Sequence, residues 1–333
     1  MQQYAFSMDN KKTYNTKMEP PQQKEPLRHI NTFCEKSSSY EAKGICMLLI
    51  IFHHIYVQFV TNWNCSIPII DRILGSGGYL GTGLFFFLSG YGLYHSLSRQ
   101  QNLKFSYLGQ RLSKMLLVYV FAFMIAFLMN TKLDTKELIV NFVTLTLPNT
   151  TTWFLKVIFA LYIIVFFIFR INMIMRQKLI IVVFLTLVYY WGALVYLPDY
   201  WYTSVLCFPV GMIAAHNKSI VKDKIQILAS VIFLICFVIN HKAEFLFVNA
   251  ITFSFLVLYL IRYKKNTWKW LKFIGINSIC FYLFQLAVLQ PLIIEGITPI
   301  VYMCSVIGSV VFLSLVYVKW IEPYTSSFLS RHK

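Results

Sequence analysis

The chain has 333 residues, 58% of them hydrophobic and only 13% charged, with a mean hydropathy of +0.62 and a formal net charge of +17. Such a composition excludes an ordinary soluble fold. The Lys and Arg residues lie between long apolar runs, so membrane topology rather than a nucleic-acid partner accounts for the basic balance. The seven cysteines include no CxxC pair and sit mostly inside apolar runs; they are expected to be small core residues, not a disulfide framework or a metal site.

In chain order, residues 1–39 are polar, contain Lys, Gln and Pro, and hold no apolar stretch. They are expected to form a disordered cytoplasmic tail without a secretory signal. Ten apolar segments follow, at 44–60, 78–97, 112–129, 153–169, 179–197, 201–215, 225–240, 245–261, 273–294 and 299–318. This pattern predicts an all-α, polytopic integral membrane protein. A single ten-helix membrane domain would cover 40–320, with a short cytoplasmic tail at 321–333 and no loop long enough for a further soluble domain. Segments five and six are joined only by Pro198, Asp199 and Tyr200, as in a tight hairpin or a re-entrant element. The charges sort accordingly. Arg72, Lys132, Lys136 and Lys242 fall in outer loops, Lys156 lies within the fourth segment, and the other 25 of the 30 Lys and Arg fall on the inner side. That bias predicts both termini inside. The longest outer loop, 130–152, is expected to lie over a substrate site.

The stretch from Lys43 to Tyr56, KGICMLLIIFHHIY, carries the first candidate chemistry. Lys43 and His54 are eleven residues apart, three helical turns plus about 20°, so they share one helix face about 16 Å apart along the axis. His53 sits about 80° off that stripe. A cation near one edge of a bilayer and a titratable base near the other, on one face, could connect two compartments. Histidine inside a span is costly unless it is neutral and paired, or faces water. A structural role is therefore the competing reading for His53 and His54. His95 reaches the inner interface, and His29, His216, His241 and His332 are expected to be solvated in loops or tails.

The second segment places Gly78, Gly81, Ser89, Gly92 and Ser96 within an arc of about 80°. Small residues in that pattern allow close helix packing; alternatively the face lines a cavity next to His54, with Ser89 as a hydrogen-bonding group. Trp153-Phe154-Leu155 opens the fourth segment, where an aromatic belt is the plain interpretation. Phe208-Pro209-Val210-Gly211-Met212 signals a local kink. Gln285, inside the run that starts at Gly275, is either interhelical glue or a cavity-lining group.

Together these pieces resemble the acyltransferase-3 family of integral membrane acyltransferases. Lys43 and His54 stand where that family has an Arg, ten intervening residues and a His, with Gly44 also in place. Phe86-Phe87-Leu88-Ser89-Gly90 resembles its second-span pattern and Trp153-Phe154-Leu155 its fourth-span pattern. Gly275, Ser278, Tyr282 and Leu283 resemble its late pattern. The likeness covers about 44–318, in the family's order. Two positions depart from it. Lys43 keeps the charge of the usual Arg but not its planar fork, and Gln285 stands where many members have a late His. The resemblance implies transfer of an acyl group, most often acetyl, from cytoplasmic acyl-CoA (a substrate, with no bound cofactor and no metal) to a hydroxyl of a surface or lipid-linked glycan, in the cell membrane. Lys43 and His54 are its catalytic candidates. Ser89, Trp153, Tyr282, Gln285 and His53 are candidates for binding substrate. A transporter or flippase of a small or lipid-linked molecule is the rival reading, and a membrane scaffold or sensor the third.

Overall fold

A computed structural model describes residues 36–100, 103–129, 134–148, 150–239, 242–264 and 267–324. Expectations for 1–35, for the end of the chain from 325, and for Lys132, His29, His241 and His332 lie outside the described residues. Within them the fold is helical, in the order α1 (Lys36–Trp63), α2 (Pro68–Ser98), α3 (Phe105–Met129), α4 (Thr135–Val143), α5 (Trp153–Arg170), α6 (Met175–Tyr196), α7 (Cys207–His216), α8 (Asp223–Ile239), α9 (Leu246–Arg262), α10 (Lys269–Ile276), α11 (Ser278–Leu289) and α12 (Pro299–Val316).

Each of the ten apolar segments holds helix, but not each a full-length span. Among the described residues, seven helices are long and apolar enough to cross a membrane. The bent pair α10–α11, with 74° between its halves, makes an eighth if the pair is one span. The break falls at Asn277, whose backbone N–H and side-chain Nδ2 both donate to the Phe273 carbonyl, at 3.2 and 3.0 Å. α7, with ten residues, reaches only about 15 Å. The loop 130–152 contains α4, a helix the apolar pattern does not announce.

α2 is the central helix: 61% of its apolar window is buried, against 28% for α3, α6 and α12. On α6 the buried residues Leu179, Val182, Thr186, Tyr190 and Ala193 recur at helical spacing on one face, while Ile180, Phe184, Trp191 and Val195 on the other remain exposed. A helix with one apolar face inward and another outward is what a bilayer solvates.

Two glycine crossings bring the central helices to backbone contact. A Cβ on Gly90 of α2 would overlap the Phe208 carbonyl of α7, and one on Gly211 of α7 would overlap the Phe87 carbonyl of α2. Likewise a Cβ on Gly44 of α1 would overlap the Leu271 carbonyl, and one on Gly275 of α10 the Tyr40 carbonyl. Small residues that let backbones approach are the usual currency of helix packing in membranes. They account for Gly44, Gly90 and Gly275 in the motifs. The small-residue arc of α2 has no single role: Gly78 and Gly81 pack on α1, whereas Gly92 faces open space and Ser96 bonds the Gly92 carbonyl and Arg111.

Some charged groups near the helix ends are paired. The Arg72 guanidinium donates to the Phe237 and Val238 carbonyls at the C-terminal end of α8, where a cation complements the helix dipole. Glu41, only 3% exposed, accepts from Lys264 Nζ at 3.1 Å and from the Trp268 backbone amide at 2.9 Å, which ties the start of α1 to the segment before α10. Among the cysteines, Cys46, Cys207 and Cys280 are buried as expected of core residues, but Cys65 and Cys304 are exposed.

Candidate active site

The site forms where α1, α2, α11 and the start of α5 meet. α2 lies antiparallel to α1, with Gly77 against Leu49 and Gly81 against Cys46. The close approach seats His53: a Cβ on Gly78 would stand 2.6 Å from its imidazole. His53 Nδ1 lies 2.9 Å from the Leu74 carbonyl. A carbonyl only accepts, so Nδ1 carries the proton and Nε2 is the unprotonated nitrogen of the neutral ring.

The neighbouring His54 ring lies 5.4 Å away, centroid to centroid. Its Nδ1 is buried without a hydrogen-bond partner among the described residues, which leaves Nε2 as its accessible nitrogen. Gln285 of α11, fully buried, is the polar side chain that interacts with this imidazole, yet neither polar atom of its amide reaches hydrogen-bond geometry. Catalytic hydrogen bonds that are open without substrate commonly tighten when it binds.

Both histidines line a cavity of about 240 Å³, called the outer chamber after the topology expected from the sequence. Its wall also includes Trp153 at the first position of α5, Tyr282 of α11, and Thr150 and Thr151 from the loop 130–152. That loop is pinned from beneath. Tyr119 Oη meets the carbonyls of Asn141 and Thr146 at 3.1 Å each, and Lys156 Nζ donates to Thr146 Oγ1 at 2.8 Å. Lys156, a cation inside a span, is thus engaged with the wall rather than with the cavity.

Lys43 and Ser89 do not line the outer chamber. They line a second, smaller cavity of about 130 Å³, together with Ser278, Phe85, Phe154 and Met115. Ile50 and Tyr282 belong to both walls, so the two chambers adjoin across this pair. Tyr282 is held there by edge contact with Phe154, centroids 5.5 Å apart. One face of α1 therefore serves both chambers, Lys43 in the inner and His54 in the outer, with Ile50 between them.

Some cavity residues carry no signal in the sequence. Gln58 follows His54 by one turn on α1, but Tyr79, Thr203, Tyr200 and Gln290 join the wall only through packing. Buried Asn249 of α9 donates to Tyr79 Oη at 3.4 Å and so positions it. His216 is exposed, as expected, but it ends α7 rather than lying in a loop, with Nδ1 2.7 Å from Tyr94 Oη.

Taken together, a bundle of apolar helices around a histidine-lined, partly polar cavity defines a multi-pass membrane protein. The sequence profile of the acyltransferase-3 family, described as an acyltransferase domain, matches residues 42–319, and the chain belongs to that family. It is a membrane acyltransferase. No curated protein and no solved structure matches the chain.

Proposed function

We propose that the protein transfers an acyl group, acetyl in the first instance, from cytoplasmic acyl-CoA to a hydroxyl of a surface or lipid-linked glycan, in a bacterial plasma membrane. The single observation that carries this reading is the pair of adjoining chambers on one face of α1, one with the cation Lys43 and one with the accessible Nε2 of His54. Donor and acceptor enter from opposite sides and meet at the Ile50–Tyr282 wall.

The distribution of Lys and Arg supports both termini lying inside. Helix directions support ten crossings. α7 and the turn before it run parallel to α2, with Thr82 Oγ1 on Ser204 Oγ at 3.0 Å at one end and Tyr94 on His216 at the other. α9 runs the same way, with Gly83 on Ala250 and Phe87 on Phe255. In this topology Lys43 lies toward the cytoplasm, where basic loops attract the phosphates of CoA.

In the reaction, Lys43 holds the donor at the inner chamber, whose wall of Phe85, Met115 and Phe154 suits an uncharged pantetheine arm. His54 Nε2 accepts the proton of the acceptor hydroxyl as its oxygen attacks the thioester carbonyl. The carbon–sulfur bond breaks, the ester forms, and the imidazolium returns the proton to the leaving thiolate. Gln285 steadies the far side of the ring, and His53, its tautomer fixed by Leu74, keeps a second neutral imidazole beside it. Ser89 and Tyr282 shape the donor passage. The test is protein-dependent transfer of label from acetyl-CoA to isolated surface glycan: a wild-type rate in His54→Ala at matched expression would remove His54 from this role.

A further inference from the structure

The outer chamber has an aromatic side that the transfer chemistry does not require. Trp153 and Tyr200, whose ring centroids lie 5.9 Å apart at 50°, both line it. Trp201 backs them, 6.2 Å from Trp153 and 6.3 Å from Tyr200, and Phe86 supports Trp153 from within the bundle. Tyr200 remains 39% exposed. The two histidines line the same cavity, and besides aliphatic side chains its wall carries neutral polar groups. Thr151, Thr203 and Gln290 make no side-chain hydrogen bond within the described residues, and Gln58 keeps its amide nitrogen available. Among the described residues, no Lys, Arg, Asp or Glu lines the chamber.

These features select for chemistry. A carboxylate or phosphate drawn into the chamber would lose hydration and find no opposite charge. A neutral sugar ring loses little: its C–H face covers an aromatic ring, and its hydroxyls meet hydroxyl and amide side chains that can both donate and accept. A volume of about 240 Å³ encloses a single sugar unit rather than a length of chain.

We infer that the acceptor group is an uncharged sugar residue, seated with its apolar face on the Trp153–Tyr200 platform and one hydroxyl toward His54, and that uronic acids and phosphosugars are rejected as reacting residues. This inference rests on the acyltransferase reading above and adds the class of its acceptor.

The test locates the protein-dependent, base-labile acyl group on surface glycans by mass spectrometry, comparing cells with and without the protein. It then measures transfer from labelled acetyl-CoA to the de-O-acylated glycan in membranes that carry wild type, Trp153→Ala, Trp153→Phe or Tyr200→Ala at equal levels. The acyl group is expected on an uncharged residue. Trp153→Ala raises the acceptor KM tenfold or more, with the acetyl-CoA KM within twofold of wild type, and Trp153→Phe recovers most of the loss. Should Trp153→Ala fail to accumulate, the partly exposed Tyr200 carries the test, with an acceptor KM at least threefold higher in Tyr200→Ala. An acyl group on a uronic acid or phosphosugar overturns the inference while leaving the acyltransferase reading intact, as does an unchanged acceptor KM in the aromatic variants. Absence of any protein-dependent acyl group removes the acyltransferase reading and this inference with it.

Discussion

The two chambers differ in kind although one helix serves both. The outer one offers hydroxyls, amides, two imidazoles and aromatic faces. The inner one is narrower, mostly apolar, and has Lys43 as its cation. A single pocket for one ligand would have no need for this division. Two pockets of different chemistry, joined at Ile50 and Tyr282, are what the proposed transfer between two different substrates requires. The contrast also explains why the polar side chains of α1 are so far apart in sequence: each chamber needs one, and a helix separates them by about 16 Å.

The largest effect is expected from removing the base. His54→Ala should lower kcat about 10²–10⁴-fold, the range typical of a lost general base, with the acetyl-CoA KM little changed; steady-state transfer in membranes reads both. A rise confined to the KM for acetyl-CoA would instead put His54 on the donor side and erase the contrast between chambers.

Lys43→Met should act on the other chamber. A charged hydrogen bond to the donor is worth about 1.5–3 kcal/mol, so the KM for acetyl-CoA should rise about tenfold or more while the acceptor KM stays put. Lys43→Arg should retain most of the affinity, because the charge is kept.

A smaller loss is expected from Gly78→Ala. The new Cβ would stand 2.6 Å from the His53 imidazole, and the ring must leave the Leu74 carbonyl to make room. Overpacking of this kind costs about 1–3 kcal/mol. Thermal unfolding of the purified protein should show the loss, with a several-fold decrease in transfer. Unchanged stability would mean that the His53 anchor contributes nothing.

Ser89→Ala should have the smallest effect. Ser89 lines only the inner chamber, so loss of its hydroxyl should change the acetyl-CoA KM by less than about threefold, the worth of one neutral hydrogen bond at the low end. An effect on the acceptor KM would contradict its placement.

How much of this was legible in sequence follows from the range of each interaction. The shared face of Lys43 and His54 is a property of one helix and follows from 100° per residue. The apolar runs announced helices because lipid leaves the backbone no other partner than itself. What a helix cannot encode alone is its neighbour. One reading of the small-residue face put Ser89 beside His54, but α2 runs antiparallel to α1, and its Ser89 level meets Lys43 rather than the histidines. Tyr200 and Thr203 reach the cavity from the turn region between α6 and α7, more than a hundred residues from His54, and no local spacing links them to it. The break at Asn277 was hidden because the apolar run from Phe273 continues across it on both sides. Only the 74° bend separates them. The glycines were visible, but their meaning was divided: Gly90 and Gly275 serve contact between backbones, whereas Gly78 serves a ring.

The most direct test of the central claim is label transfer from acetyl-CoA to de-O-acylated surface glycan in membranes with wild type or His54→Ala at matched levels. Base-labile label should appear on the glycan with wild type and fall by at least about a hundredfold in the variant. Equal labelling in both would contradict the assignment of His54, and no labelling with either would contradict transfer from acetyl-CoA to a surface glycan.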